Sequence, residues 1–233
     1  ECENSMLIIT NHALLLQNIK LENQILPSYE YIIVDEAHNL EDEATRQFTD
    51  TVDLEFLRKN SQHLLRSNSV VARIINKVKD MAEASEVYDD LLLSQRQLKE
   101  DVDFLESNIK TAIDYIFTVG QLSHNNEWRI TAKERKSDWW LELAAQLSRI
   151  NDLVRTVYNR LSHIRNRIDM FEDTDLLAKE LVFQQSWFGE QNKFIETFLG
   201  EKRKNDIYWI EYTRSSWGSN LCLSVAPIDV RPM

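Results

Sequence analysis

Four consecutive residues, Asp35-Glu36-Ala37-His38, carry the side chains best suited to chemistry in this 233-residue sequence. They follow Tyr31-Ile32-Ile33-Val34, a short β-branched run of the kind buried as a strand in a parallel sheet. Such sheets bind ligands at the carboxyl ends of their strands, so the two carboxylates stand where a ligand is expected. A nucleoside triphosphatase needs one carboxylate there to hold Mg²⁺, usually through water, and a second to orient and polarise the attacking water. Asp35 suits the first role, as metal ligand and contact to the ATP cofactor, and Glu36 suits the second. His38, one short step beyond, can hydrogen-bond toward a γ-phosphate or across to a partner domain and couple hydrolysis to motion. Glu36 and His38 are therefore the catalytic candidates. The competing reading is an acidic helix N-terminus stabilised by the helix dipole and continued by Asn39, Glu41 and Asp42.

The elements that position these residues begin with a second β-branched run, Met6-Leu7-Ile8-Ile9, and a helical stretch from Ala13 to Lys20. Strand, helix and strand in that order build a doubly wound domain. Beyond it the punctuation changes, because proline occurs only at 27, 227 and 232, and glycine only at 120, 189, 200 and 218. A centre so free of breakers and rich in Leu, Glu, Lys, Arg and Gln predicts long helices. The clearest spans 85–118, with a seam of Tyr88, Leu91, Leu98, Val102, Leu105, Ile109, Ala112 and Ile116 interrupted at Gln95; it suits the core of a bundle better than a dimeric coiled coil. A second starts at a Ser137-Asp138 cap and runs toward Met170, with Leu143, Leu147, Ile150, Val154, Val157, Leu161, Ile164 and Ile168 as its stripe. Shorter helices fall near 53–66, 69–84 and 175–199, the last stopped by Gly200. Ile207–Tyr212 and Leu221–Val225, around a turn at 216–220, predict a hairpin. The expected architecture is mainly α: residues 1–45 as one α/β piece, 46–205 as a helical insertion, and 206–233 as a hairpin returning to the first piece.

Charge is distributed unevenly. The net value is −11, yet residues 1–45 hold nine acids against one lysine while residues 46–205 hold 26 acids against 24 bases, so basic stripes remain possible on the helical centre. On the 138–170 helix Arg149, Arg160, His163 and Arg167 project to one side beside the apolar stripe, where they would track phosphates or simply be solvated. Trp128-Arg129, Lys133, Arg135, Lys136 and Trp139-Trp140 mix cations with aromatics as single-strand binders do, although tryptophan is more often core. The two cysteines, Cys2 and Cys222, are too far apart in sequence to form a disulfide framework or a clustered metal site. No apolar run is long enough for a membrane span and no signal peptide is evident, which predicts a cytoplasmic protein without a membrane partner.

Several stretches resemble one family. Thr10-Asn11-His12-Ala-Leu-Leu-Leu16, Ile25-Leu-Pro27, Tyr31 through Ala44 including Asp35-Glu36-Ala37-His38, and Ala226-Pro-Ile-Asp-Val230 are similar to the DinG branch of the XPD/DinG superfamily 2 DNA helicases, in which the acidic motif is the DEAH box. The resemblance implies part of RecA-like motor domain 1 at 1–45, an inserted helical arch at 46–205, and a return to the motor domain at 206–233. It implies a bacterial DNA-dependent ATPase that uses Mg²⁺ and ATP, with single-stranded DNA and the remaining motor domains of the same chain as partners. It also places Asn11 and His12 near the DNA path, where the alternative is a helix cap with His12 on its first turn. The sequence departs from the family in having no Gly-Lys-Thr phosphate loop, so this chain alone is expected not to hydrolyse ATP. Many relatives carry an iron–sulfur cluster on four cysteines; only Cys2 precedes the acidic box, and no cluster is expected here. That cluster-free pattern suits the Gram-positive helicase/exonuclease type, in which nuclease activity can dominate. The rival readings are an accessory region of a helicase-derived single-strand exonuclease, a non-catalytic helical module that binds protein or single-stranded DNA, and a helical adaptor in which the acidic box is accidental.

Overall fold

The helical centre forms as its composition dictates. The computed structural model describes residues 5, 7–79, 81, 85–120, 127–169, 171, 174–201, 205–215 and 218–227. In chain order these form α1 (His12–Lys20), α2 (Leu40–Phe48), β1 (Asp50–Asp53), α3 (Leu54–His63), α4 (Val70–Lys79), α5 (Ser85–Gly120), β2 (Glu127–Arg129), α6 (Asp138–Ile168), α7 (Asp175–Leu199), β3 (Asp206–Ser215) and β4 (Gly218–Pro227). The chain is mainly α, with a small four-stranded antiparallel sheet.

Three long helices make the body, α5 against α6 and α6 against α7. Leu91, Leu98, Val102, Leu105, Ile109, Ala112 and Ile116 of α5 are fully buried, as are all eight predicted stripe residues of α6. Helical periodicity puts each set on one face, and burying such a side chain contributes roughly 1.5–3 kcal/mol. The gap in the α5 seam is filled by Ser94, only 3 % exposed, rather than by Gln95, which is half-buried. Helices α3 and α4 cover α5 from one side through Leu57, Val71, Ile74 and Val78.

Of the two predicted helix ends, Gly200 stops its helix as expected and Ser137 does not cap in the expected way. Ser137 precedes α6, but its hydroxyl donates to the Glu134 carbonyl at 2.6 Å instead of receiving a helix amide. Gly200 does end α7, in an extended conformation, and the exposed carbonyls there are taken by Arg135. Its guanidinium donates to the carbonyls of Phe198 (2.8 Å), Leu199 (3.2 Å) and Gly200 (2.9 Å). A cation at a helix C-terminus complements the macrodipole.

The hairpin predicted at the far end is present, and it belongs to the helical body. Strand order is β1-β4-β3-β2, with Asp50 opposite Val225 and Trp128 opposite Ile210. Tyr208, Ile210 and Tyr212 alternate inward, with Leu221 and Leu223, onto the bundle. Asp53 fixes the corner: its carboxylate accepts from Phe56 N at 2.7 Å to cap α3, and from Asn220 Nδ2 at 2.8 Å. The described strands β3 and β4 therefore pack on the helices.

The ends differ from the sequence reading. Leu7 and Ile9 are 77 % and 88 % exposed, Tyr31 and Ile33 88 % and 96 %, and neither 7–9 nor 31–34 pairs into a strand. A strand's amides and carbonyls need a neighbouring strand, and among the described residues none lies alongside. A doubly wound sheet is thus not formed here. Helices α1 and α2 instead pack on each other through Leu16, Ile19, Leu40, Ala44 and Phe48. Cys2, Met6, Met170, the turn residues Ser216 and Trp217, and Ile228, Asp229 and Val230 lie outside the described residues.

Candidate functional site

The extended run 31–34 ends at Asp35, and Glu36 turns the chain by adopting the left-handed conformation, φ 49°. A non-glycine residue there is uncommon and stores of order 1 kcal/mol, so the turn must be held from outside. Two contacts hold it. The Asp35 carboxylate accepts from the Glu36 amide at 2.9 Å, and His12 Nε2 lies 2.9 Å from the Asp35 carbonyl oxygen. A carbonyl can only accept, so His12 carries its proton on Nε2. The Asn39 amide then donates to Glu36 O at 2.9 Å, closing the short 3₁₀ turn Ala37–Asn39 that leads into α2.

Glu36 and His38 face each other across that turn, Oε2 to Nδ1 at 3.3 Å, and both side chains are largely exposed. The geometry brings together Asp35, Glu36, His38 and His12. It also satisfies the competing reading in part, because Glu41, Asp42 and Glu43 occupy the first turn of α2 where the dipole favours them. So much negative charge repels a bare polyphosphate, which could approach only with a divalent cation between. Among the described residues no group of three metal-ligating side chains forms. Two exposed carboxylates fit a water-mediated hold on Mg²⁺ already bound to a nucleotide, and they do not make a self-standing metal centre.

Asn11 acts as the helix cap, its side chain accepting from Leu14 N at 2.8 Å. With His12 it fixes the start of α1 beside the acidic turn. The far end of α1 is fastened by Asn18, which the sequence reading overlooked. Asn18 is fully buried; its Oδ1 accepts from Ile25 N (2.9 Å) and Leu26 N (2.8 Å), and its Nδ2 donates to Asn23 Oδ1 (2.9 Å). A polar residue on the helix's buried face was the available signal. Asn18→Ala should strand two amides and destabilise this turn by about 2 kcal/mol. Hydrogen exchange at Ile25 and Leu26 checks this; unchanged protection there would contradict the assignment.

The three arginines proposed to track phosphates are divided. Arg149 is exposed and makes no ion pair with the described residues, whereas Arg160 reaches across to α5, to Asp101 at 3.0 Å and Gln97 at 2.6 Å. Arg167 and His163 share Asp90 of α5, at 2.6 and 3.0 Å. The Arg167 hydrogen bond, helped by His163, holds the Asp90 carboxyl below its ordinary value. These pairs stitch α5 to α6 at Arg160, His163 and Arg167 and leave Arg149 on the exposed surface. Trp128 and Trp139 are half-buried within a chain of rings: Trp128–Trp139 (6.3 Å), Trp139–Trp140 (6.1 Å), Trp140–Phe198 (6.0 Å) and Phe198–Tyr208 (5.9 Å). They join the bundle to the sheet, while Arg129 is exposed on the edge strand β2. Arg135 lies 5.1 Å over both Trp140 and Tyr208, and burial pulls its pKa down.

Cys222 is half-buried on β4, its thiol pushed up to about 11 by burial and by the charges of Asp53 and Glu211, which makes it a poor nucleophile. No described helix is long and apolar enough to cross a membrane. No family model matches the chain, and no curated protein sequence matches it.

Proposed function

We propose that this chain is part of a DNA-dependent ATPase of the DinG helicase type, contributing the carboxylates of the hydrolytic site and a helical arch that helps hold single-stranded DNA. The observation that carries the reading is the acidic turn itself: a left-handed Glu36 presents its carboxylate and His38 on one exposed side, and His12 anchors the backbone at Asp35. In this reading Asp35 would hold Mg²⁺ through water, and Glu36 would orient the attacking water and accept its proton. The ion, when bound, would neutralise phosphate charge that the acidic turn otherwise repels. In the same reading His38, exposed beside Glu36, would report nucleotide state to a neighbouring domain of the same protein. The apolar runs 7–9 and 31–34, exposed here, would be buried as strands against the rest of a RecA-like motor domain.

The test separates the chain from the longer protein. The 233 residues alone should bind no Mg²⁺-nucleotide tightly and show no ATPase with or without DNA, since nothing in the sequence cradles phosphates. The longer protein should hydrolyse ATP faster with single-stranded DNA, and Asp35→Ala should weaken its Mg²⁺-nucleotide binding. Glu36-dependent hydrolysis by the short chain, or equal nucleotide affinity in Asp35→Ala, would overturn the assignment.

A further inference from the structure

From Phe56 to Lys79 the sequence contains no acidic residue, yet it holds Arg58, Lys59, Arg66, Arg73, Lys77 and Lys79, with His63 among them. In a protein of net charge −11 this is a local inversion of sign. The stretch is α3, α4 and their link. Its apolar residues, Leu57, Val70, Val71, Ile74, Ile75 and Val78, are buried, so helical periodicity sends most of the cations outward. Arg58 is the exception, turned inward to Glu55 and Glu106 at 2.6 and 2.9 Å. Lys59, Arg66, Arg73 and Lys79 are exposed. Arg66 and Lys79 make no ion pair with the described residues, Lys59 lies 3.5 Å from Glu55, and Arg73 meets Glu180 of α7.

That last pair sets the cations beside a row of aromatics. Phe183, one turn along α7 from Glu180, is 71 % exposed, and Trp187 follows it one turn later. Trp187 receives Phe56 of α3, itself 56 % exposed, edge-on at 5.7 Å. Cations with adjoining open rings match a polymer that alternates phosphates with flat faces. A duplex hides those faces in its stack, and a purely apolar partner would leave the charges desolvated.

We propose that the outer surface of α3, α4 and α7 binds a single strand of nucleic acid. Its phosphates lie along Lys59, Arg66, Arg73 and Lys79, and its bases stack on the exposed rings of Phe56 and Phe183, which the half-buried Trp187 backs. The choice of polymer rests on the function proposed above; the surface itself does not depend on the acidic turn. Glu55 and Glu180 are the carboxylates seen to pair with its cations, Lys59 and Arg73. Glu180 is in an exposed ion pair of the kind that contributes little, so Arg73 is readily exchanged to a phosphate.

Fluorescence anisotropy of a labelled oligothymidine, titrated with the 233-residue chain over a range of salt, tests this. Lys59→Gln, Arg66→Gln and Lys79→Gln combined should weaken binding at least about tenfold and flatten the log–log salt slope by about 2, three contacts at roughly 0.7 each. Phe183→Ala should weaken binding about fivefold or more with the slope unchanged, because stacking releases no counterions. If the triple variant melts early by circular dichroism, Phe183→Ala decides, since so exposed a ring is not needed for folding. Unaltered affinity in both variants, a duplex that competes as well as the single strand, or no binding of the oligonucleotide would overturn the proposal. None of those results touches the acidic-turn reading, which stands or falls on nucleotide hydrolysis by the longer protein.

Discussion

Truncating Phe198 to alanine is expected to destabilise the fold by about 4 kcal/mol, among the largest losses available to a single substitution. Phe198 is fully buried at the C-terminal end of α7, ringed by Trp140 (6.0 Å), Phe194 (6.1 Å) and Tyr208 (5.9 Å). It stands where the bundle meets the sheet, so the cavity would open between elements that cannot collapse together without shifting β3. The Phe198 carbonyl also receives Arg135, whose guanidinium is sandwiched by two of the same rings. Loosening the rings therefore loosens a half-buried cation whose buried Nε already lacks a partner among the described residues. Denaturant unfolding should show a lowered midpoint with an unchanged slope. A loss below about 1 kcal/mol would mean that the helix–sheet junction is not packed as described.

Glu36→Gln should have the opposite signature, large in activity and negligible in stability. On the ATPase reading proposed above, turnover of the longer protein should fall about 10²–10⁴-fold, because the amide keeps the shape of the side chain but cannot take a proton from water. Mg²⁺-nucleotide affinity should persist, since Asp35 and not Glu36 is assigned to the ion. The side chain is exposed, and glutamine tolerates the same backbone as glutamate, so stability should change by no more than about 0.5 kcal/mol. Single-turnover hydrolysis with bound nucleotide measured separately distinguishes loss of chemistry from loss of binding. Near-normal turnover would return the turn to its plainer role as an acidic helix entry.

What the sequence disclosed, and what it hid, follows from the range of the interactions. The seams of α5 and α6 were legible because a 3.6-residue period is a local property, repeated enough to survive single exceptions such as Ser94. Strands β1 and β2 were not, being three or four residues of mixed polarity, Asp50–Asp53 and Glu127–Arg129, defined only by partners in β4 and β3. The arginines of α6 were read as a free face because Asp90 and Asp101, their partners, lie about sixty residues or more earlier on another helix. Helix α2 entered only as the alternative to a functional turn, and its first residues do form the acidic helix entry which that alternative describes. Conversely, the acid-free run from Phe56 to Lys79 was visible in the sequence throughout. Its meaning depends on α7, which supplies the rings beside it.

The register of β1 against β4 has a mechanical consequence. Asp50 faces Val225 and Asp53 faces Cys222, so the chain enters the helical body at Thr49 and leaves it beyond Val225 at the same end of one antiparallel pair. Tension drawing those two points apart would load the rungs one after another, as in opening a zipper, rather than shearing all of them together. Such a pair yields at low force and recloses readily. The helices behind it, secured by Leu54 and Leu57 and by the Asp53–Asn220 contact, would feel little of the pull until the first rungs had parted. The β1–β4 pair is thus the first part of the body to give under such a pull.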